Sequence, residues 1–215
     1  MARDKNARHD TKKKSVYAAE QDRPDVKAAR SKWFDQFSDV RLNQLVFIDE
    51  FGAATNMARR YARGLRGERV VGKVPHGHWK LLSTIAAMDV RGIVTACSFE
   101  GATDTAMFIA FVERFLLKKL KPKQIVIMDN LSAHNSPHVD RLIESVGARV
   151  LRLPPHSPDY NPIEMAISKM KSVLRREGHR TIDALNIGLK HAIEAIQPTD
   201  AIAMMKHCGY SASFI

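Results

Sequence analysis

Three acidic residues stand where their types and positions could do chemistry. Asp49 closes the apolar run Leu45–Val46–Phe47–Ile48, Asp129 closes Ile125–Val126–Ile127–Met128, and Glu164 follows Asn161–Pro162–Ile163 directly. Four apolar residues ended by a polar one suit a strand buried on both faces. In α/β sheets, ligand sites favour the carboxyl edge of the strands. If the two strands are neighbours, their carboxylates converge there, and two such groups repel unless a cation lies between them. Mg²⁺ fits, because it is a hard ion that takes a few carboxylates and keeps waters for a substrate. Taken alone, either aspartate reads first as a turn former at a strand end.

Glu164 has a different alternative. Asn161 at the N-cap, Pro162 at the first helical position and Glu164 at N3 have the spacing of a capping box, in which the acid does no more than satisfy backbone N–H groups. The helix that follows has a pattern of its own. Ile163, Ile167, Met170 and Leu174 form an apolar stripe, and Glu164, Ser168, Lys171 and Arg175 share the stripe beside it. An acid continued by cationic groups suits a metal ligand whose substrate is a nucleic acid, and a solvated helix face looks the same.

The elements that must position these residues can be read coarsely. Lys80 to Met88 and Ile93 to Phe99 flank Asp89–Val90–Arg91–Gly92 as a hairpin, and Val150 to Leu153 is a further strand, stopped by Pro154 and Pro155. Thr103 and Asp104 cap a helix with Phe108, Phe111, Val112, Phe115 and Leu116 at helical spacing, and the phenylalanines from Phe108 to Phe115 read as core. Ser136 to Val146 is the next helix, stopped by Gly147. After Asn161 the chain turns helical, with breaks near Gly178 and at Gln197–Pro198–Thr199. Strands with a hairpin, then helix alternating with strand, then helices, describe a mixed α/β sheet with helices on its faces. Residues 1–42 are charged and read as a basic extension or linker, with one amphipathic piece from Asp25 to Phe37. The compact body is residues 43–215.

Composition narrows the partners. The 215 residues are 45% hydrophobic and 27% charged, as in a globular protein of one domain plus extensions. A formal net charge of +11 favours a polyanion, with nucleic acid before an anionic membrane surface. Cys97 and Cys208 fall in no metal-ligand or disulfide spacing, which fits reduced thiols in the cytoplasm. No apolar run reaches the roughly 18 residues of a membrane span, and the basic start has no apolar stretch after it to make a secretory signal.

Taken in order, "FIDEFG", "ERVVGKV", "VPHGHWK", "MDNLSAH", "LPPHSPDYNPIEMAISKMKSVLRR" and "KHCGY" resemble the DDE transposases of bacterial insertion sequences, most closely the insertion-sequence-630 branch of the mariner superfamily. Thirty-four residues separate Asp129 from Glu164, as that branch's pattern requires. The resemblance covers about Lys14 to Tyr210. It implies a ribonuclease-H-like fold, a mixed five-stranded sheet with helices on both faces, in which Asp49, Asp129 and Glu164 hold two Mg²⁺ ions that Mn²⁺ can replace. It implies DNA cleavage at the ends of an element and strand transfer into target DNA at a TA dinucleotide. It also implies that the proline loop aims Glu164 at the aspartates. His156 stands where an aromatic is commoner. Family members usually carry N-terminal helix-turn-helix modules, whereas Lys14 to Phe37 resembles only the linker after them. The expectation is a catalytic half, the downstream frame of a split gene or a truncated copy. Its expected partners are DNA, a second copy of the chain and an upstream-frame helix-turn-helix protein.

Other residues take supporting readings. Asn130 and His134 stand close enough to Asp129 to orient it or a phosphate, and Asn130 reads equally as a helix cap. Asp159 reads as a turn residue before a fourth ligand, and Glu50 points away from Asp49 if the strand continues. Arg59, Arg60, Arg63, Arg66, Arg69 and Lys73 form the densest basic stretch and, with Lys171 and Arg175, suit contacts to the DNA backbone. Trp79 reads as a core aromatic before a base-stacking one. Two other function classes stay open beside the active transposase: a non-catalytic DNA-binding or regulatory remnant, and a ribonuclease-H-like nuclease that cuts without joining.

Overall fold

The computed structural model describes residues 18–59, 61–131 and 136–210. Its strands are β1 (Leu45–Ala54), β2 (Leu81–Asp89), β3 (Gly92–Glu100), β4 (Ile125–Met128) and β5 (Arg149–Arg152), in one sheet ordered β3-β2-β1-β4-β5. The sheet is mixed because its connections differ. A tight turn lets β2 and β3 pair antiparallel, as β1 and β2 also do, while β4 lies parallel to both β1 and β5. Parallel neighbours need a crossover, and the helices supply it.

Side chains alternate faces along each strand. Leu45, Phe47, Phe51, Ala53, Ile125 and Ile127 enter one core, beneath α4 (Pro162–Glu177), α5 (Ile182–Glu194) and α6 (Pro198–His207). Val46, Ile48, Val126 and Met128 enter the other, beneath α2 (Thr105–Phe111) and α3 (Pro137–Ser145). Helices therefore cover both faces. A further helix, α1 (Pro24–Ser31), precedes the sheet, and Trp33 and Phe37 just after it join the first core. The Trp33 indole donates a hydrogen bond of 3.1 Å to the Tyr210 hydroxyl. Among the described residues, no helix is long and apolar enough to cross a membrane.

Two local readings of the sequence change. The first strand does not stop at Ile48 but runs through Asp49 to Ala54, because β2 keeps pairing with it as far as Ala54 opposite Leu81. Phe115 is not core: α2 passes into a π-helical turn over Val112–Leu116, which shifts the helical phase and leaves Phe115 39% exposed.

The β2–β3 hairpin depends on its last turn residue. Asp89 Oδ1 accepts the Arg91 backbone N–H at 2.7 Å, and Gly92 then takes φ 107°. An added Cβ there meets the Ile196 carbonyl oxygen at 2.5 Å. Gly92→Ala is expected to destabilise the protein by about 1–3 kcal/mol from backbone strain alone. A urea titration should show a lower midpoint with the slope unchanged; an unmoved midpoint would show that the turn relaxes freely.

Candidate active site

Asp49 and Asp129 reach the same face of the sheet by strand parity. Leu45 and Phe47 lie in the core under α4, and Asp49 continues their alternation. Ile125 and Ile127 lie in that core too, and Asp129 continues theirs one residue past β4. β1 and β4 pair in parallel as Leu45 with Ile125 and Phe47 with Ile127, so the register carried two residues on sets Asp49 beside Asp129. Glu50 continues the opposite series, as expected. Leu153, at the end of β5, extends the ladder by donating its backbone N–H to the Met128 carbonyl at 2.9 Å.

The loop from Pro154 to Asn161 then turns the chain back over the strand ends and starts α4. Asp49, Asp129, Asn130, Asn161 and Glu164 line one cavity of about 330 Å³ with residues of this loop. Asn161 is the N-cap residue and Pro162 opens the helix, as the spacing predicts, but the Asn161 side chain makes no cap bond. Instead its Nδ2 donates to Asp49 Oδ2 at 3.1 Å, between groups only 2% and 8% exposed. No capping box forms, and the Glu164 side chain is exposed on the cavity rim. The alternative reading of Glu164 as half of a capping box therefore fails. Ile163, Ile167, Met170 and Leu174 are buried, while Glu164 and Ser168 are exposed and Lys171 and Arg175 half-buried, so both stripes of α4 fall as predicted.

Asn130 is neither a cap nor a partner of Asp129. Its Nδ2 donates to the Leu153 carbonyl at 2.6 Å, tying the end of β4 to the end of β5, and Ser136 caps α3. Asp129 Oδ1 accepts the Leu131 backbone N–H at 3.0 Å. Asp159 lies in a turn and binds Arg30, at Nη2–Oδ2 2.7 Å. Arg30 is the residue that sequence reasoning missed, for its partner is 129 positions away.

The donor set suits a hard divalent cation. Three carboxylates line the cavity, and the Asn161 Oδ1 beside them is buried with no hydrogen-bond donor among the described residues. Such oxygens are what Mg²⁺ or Mn²⁺ takes. As placed, no three His, Cys, Asp or Glu side chains among the described residues form a closed ion-holding cluster. Oxygens of both aspartates are engaged by N–H donors, Asp49 Oδ1 with Glu50 N at 2.7 Å among them.

The basic stretch forms the long connection between β1 and β2. Arg59, Arg63, Arg66, Arg69 and Lys73 are all exposed on it, whereas Arg60 and His134 lie outside the described residues. Arg59 and Tyr61 meet Ser172, Arg175 and Arg176 of α4 around a second cavity of about 420 Å³. Trp79 is not a core aromatic: it is 58% exposed, because this connection has no sheet or helix to bury it.

A family model described as DDE superfamily endonuclease matches residues 44–186. No curated protein sequence matches the chain. Among solved structures it is similar to the Mos1 transposase paired-end complex with left transposon end, with a TM-score of 0.74 and 14% identity, over 93% of this chain and 63% of that one. It is likewise similar to the mariner Mos1 paired-end complex with Mg, at TM-score 0.74 and 14% identity, over 96% of this chain and 66% of that one. The catalytic domain of Mos1 mariner transposase matches at TM-score 0.56 and 15% identity, over 85% and 84% of the two chains. The fold is the ribonuclease-H-like one of that domain, and the chain spans under two thirds of the Mos1 chain in the paired-end complex with left transposon end.

Proposed function

Because this chain belongs to the DDE superfamily endonucleases, we propose that it is the catalytic part of a transposase of the insertion-sequence-630 branch. In this reading residues 43–215 cut DNA at the ends of an element and join them to target DNA at TA, and residues 1–42 are the linker. The carrying observation is that Asp49, Asp129 and Glu164 line a single cavity, with Asn161 bonded to Asp49.

Asp49, Asp129 and Glu164 would hold two divalent ions, Mg²⁺ or Mn²⁺. Bound there, such ions activate a water or a DNA 3′-OH and stabilise the leaving oxygen. Asn161 keeps Asp49 oriented, and the Asn130 bond to Leu153 holds the strand ends that set Asp129. The exposed Arg59, Arg63, Arg66, Arg69 and Lys73, with Arg60 in the same stretch, take DNA phosphates. Lys171 and Arg175 continue that track along α4 from Glu164. A second copy of the chain and an upstream-frame helix-turn-helix protein are the proposed partners, acting on DNA in the cytoplasm.

The test joins cleavage to binding. The chain should nick supercoiled DNA with Mn²⁺ or Mg²⁺ and stop when EDTA is added. It should bind DNA with little sequence preference and a steep salt dependence. Replacing Arg63, Arg66 and Arg69 by alanine should reduce the log–log salt slope by roughly 2–3, about 0.9 per lost phosphate contact. No metal-dependent nicking on any DNA, with recognition modules fused or supplied in trans, would sink the enzyme reading. Tight binding to one sequence at physiological salt would move recognition into this chain.

A further inference from the structure

We propose that Arg30 is a positioning residue of the active centre, holding from α1 the loop that presents Asn161 and Glu164; this rests on the reading of the carboxylates given above. The Arg30 guanidinium grips the loop in three ways. Nη1 donates to Ser157 Oγ at 2.7 Å and to Asp159 Oδ1 at 3.0 Å, and Nη2 donates to Asp159 Oδ2 at 2.7 Å. Its plane also lies over the Tyr160 ring, 4.2 Å from the centroid. A planar fork that meets a carboxylate on two bonds and an aromatic face at once is a use of arginine that lysine cannot copy. Ser157 is 4% exposed and the Arg30 side chain 17%, so the Ser157 bond is shielded from solvent, while the Asp159 carboxylate, 35% exposed, faces it.

The grip leads to the cavity in few steps. Asp159 and Tyr160 directly precede Asn161, whose side chain bonds Asp49 and whose backbone begins the helix that carries Glu164. Neighbours on the same segment support Arg30. Gln21 Nε2 donates to the His156 carbonyl at 2.7 Å, where His156 sits at φ 55°. Phe34 packs on Tyr160 at 5.0 Å between centroids, and the Tyr210 hydroxyl donates to the Tyr160 carbonyl at 2.9 Å. His156, Ser157, Asp159 and Tyr160 are thus each held by a residue of the lead-in or by one bonded to it. Movement of α1 is thereby coupled to the acid at the helix start.

The experiment uses the full chain with Arg30→Lys, Asp159→Asn and the double variant, each checked for folding by circular dichroism. Two readouts are taken: Mn²⁺ binding, from the electron paramagnetic resonance signal of free Mn²⁺, and the NMR position of the Asn161 side-chain amide. Both single variants should weaken Mn²⁺ binding about 10–100-fold, the range for groups that orient a ligand without touching the ion. The Asn161 amide should shift towards the position of a free side chain. The double variant should cost less than the sum of the singles, because both singles break the same Arg30–Asp159 pair. Mn²⁺ affinity within two-fold of wild type, or an unmoved Asn161 amide, would reduce Arg30 to a surface ion pair and overturn the proposal. If wild type itself binds no Mn²⁺, the carboxylate reading fails separately, and the Asn161 amide alone decides for or against the grip.

Discussion

Glu164→Gln should abolish metal-dependent DNA nicking while leaving the protein as stable as wild type. Glutamine keeps the size and polarity of the side chain but removes the charge that a divalent ion requires. Stability has little to lose, since the Glu164 side chain is exposed and belongs to no capping box. The favourable placement of an acid in the first helical turn accounts for at most about 1 kcal/mol. Nicking should fall by roughly two or more orders of magnitude, a larger effect than loss of a group that merely orients a ligand. The comparison needs a DNA substrate that the wild type nicks, with melting temperature and DNA affinity measured on the same preparation. Nicking retained by a well-folded variant would return Glu164 to the surface of its helix.

Asn161→Asp should convert a neutral contact into a pH-sensitive one. The Asn161 side chain is 2% exposed and lies 3.1 Å from Asp49 Oδ2, so the variant sets two carboxyls in a buried contact. One of the pair must keep its proton to a higher pH than an isolated aspartate does, because two like charges this close do not both ionise freely. The folded state then binds more protons than the unfolded one, so stability falls as pH rises through the raised value. The cost should be largest at pH 8, at least about 1 kcal/mol for a pair of buried like charges, and it should fade as the pH approaches 4. Denaturant midpoints of the variant and wild type across that range measure it. Because added Mn²⁺ compensates paired carboxylates, it should recover part of the loss at pH 8. A pH-independent difference would mean that the two side chains separate in the variant.

Strand parity made much of the site readable in advance. Apolar runs of four place Asp49 and Asp129 in phase with inward-facing neighbours, and the two stripes after Asn161 follow from helical spacing alone. Both are local patterns, and a window of a few residues contains them. What escaped the sequence was partner choice. Asn161 looks like a cap by its type and position, yet its amide has a better use against the buried carboxylate of Asp49, 112 positions away. Asn130 likewise serves β5 rather than the helix after it. Arg30 and Asp159 carry no mutual signal, because no periodicity links positions 129 apart. Phe115 and Trp79 were misjudged for a related reason. Hydrophobic type predicts burial only where an element can present it, and one follows a π turn while the other sits in an irregular connection.

The Trp33–Tyr210 hydrogen bond has a consequence for the protein's first moments. Its partners are 177 residues apart, and ribosomes add roughly 5–20 residues per second. Trp33 therefore waits roughly 10–35 s for its partner. Until then the Tyr210 hydroxyl is missing from the Tyr160 carbonyl that it holds, and Phe47 lacks the aromatic edge that covers it at 5.0 Å. The hairpin of β2 and β3 needs none of this and can form early, as local contacts do. A nascent chain can thus have a sheet without a finished loop beside it. The loop that presents Asn161 and Glu164 is completed late, after translation has passed Tyr210.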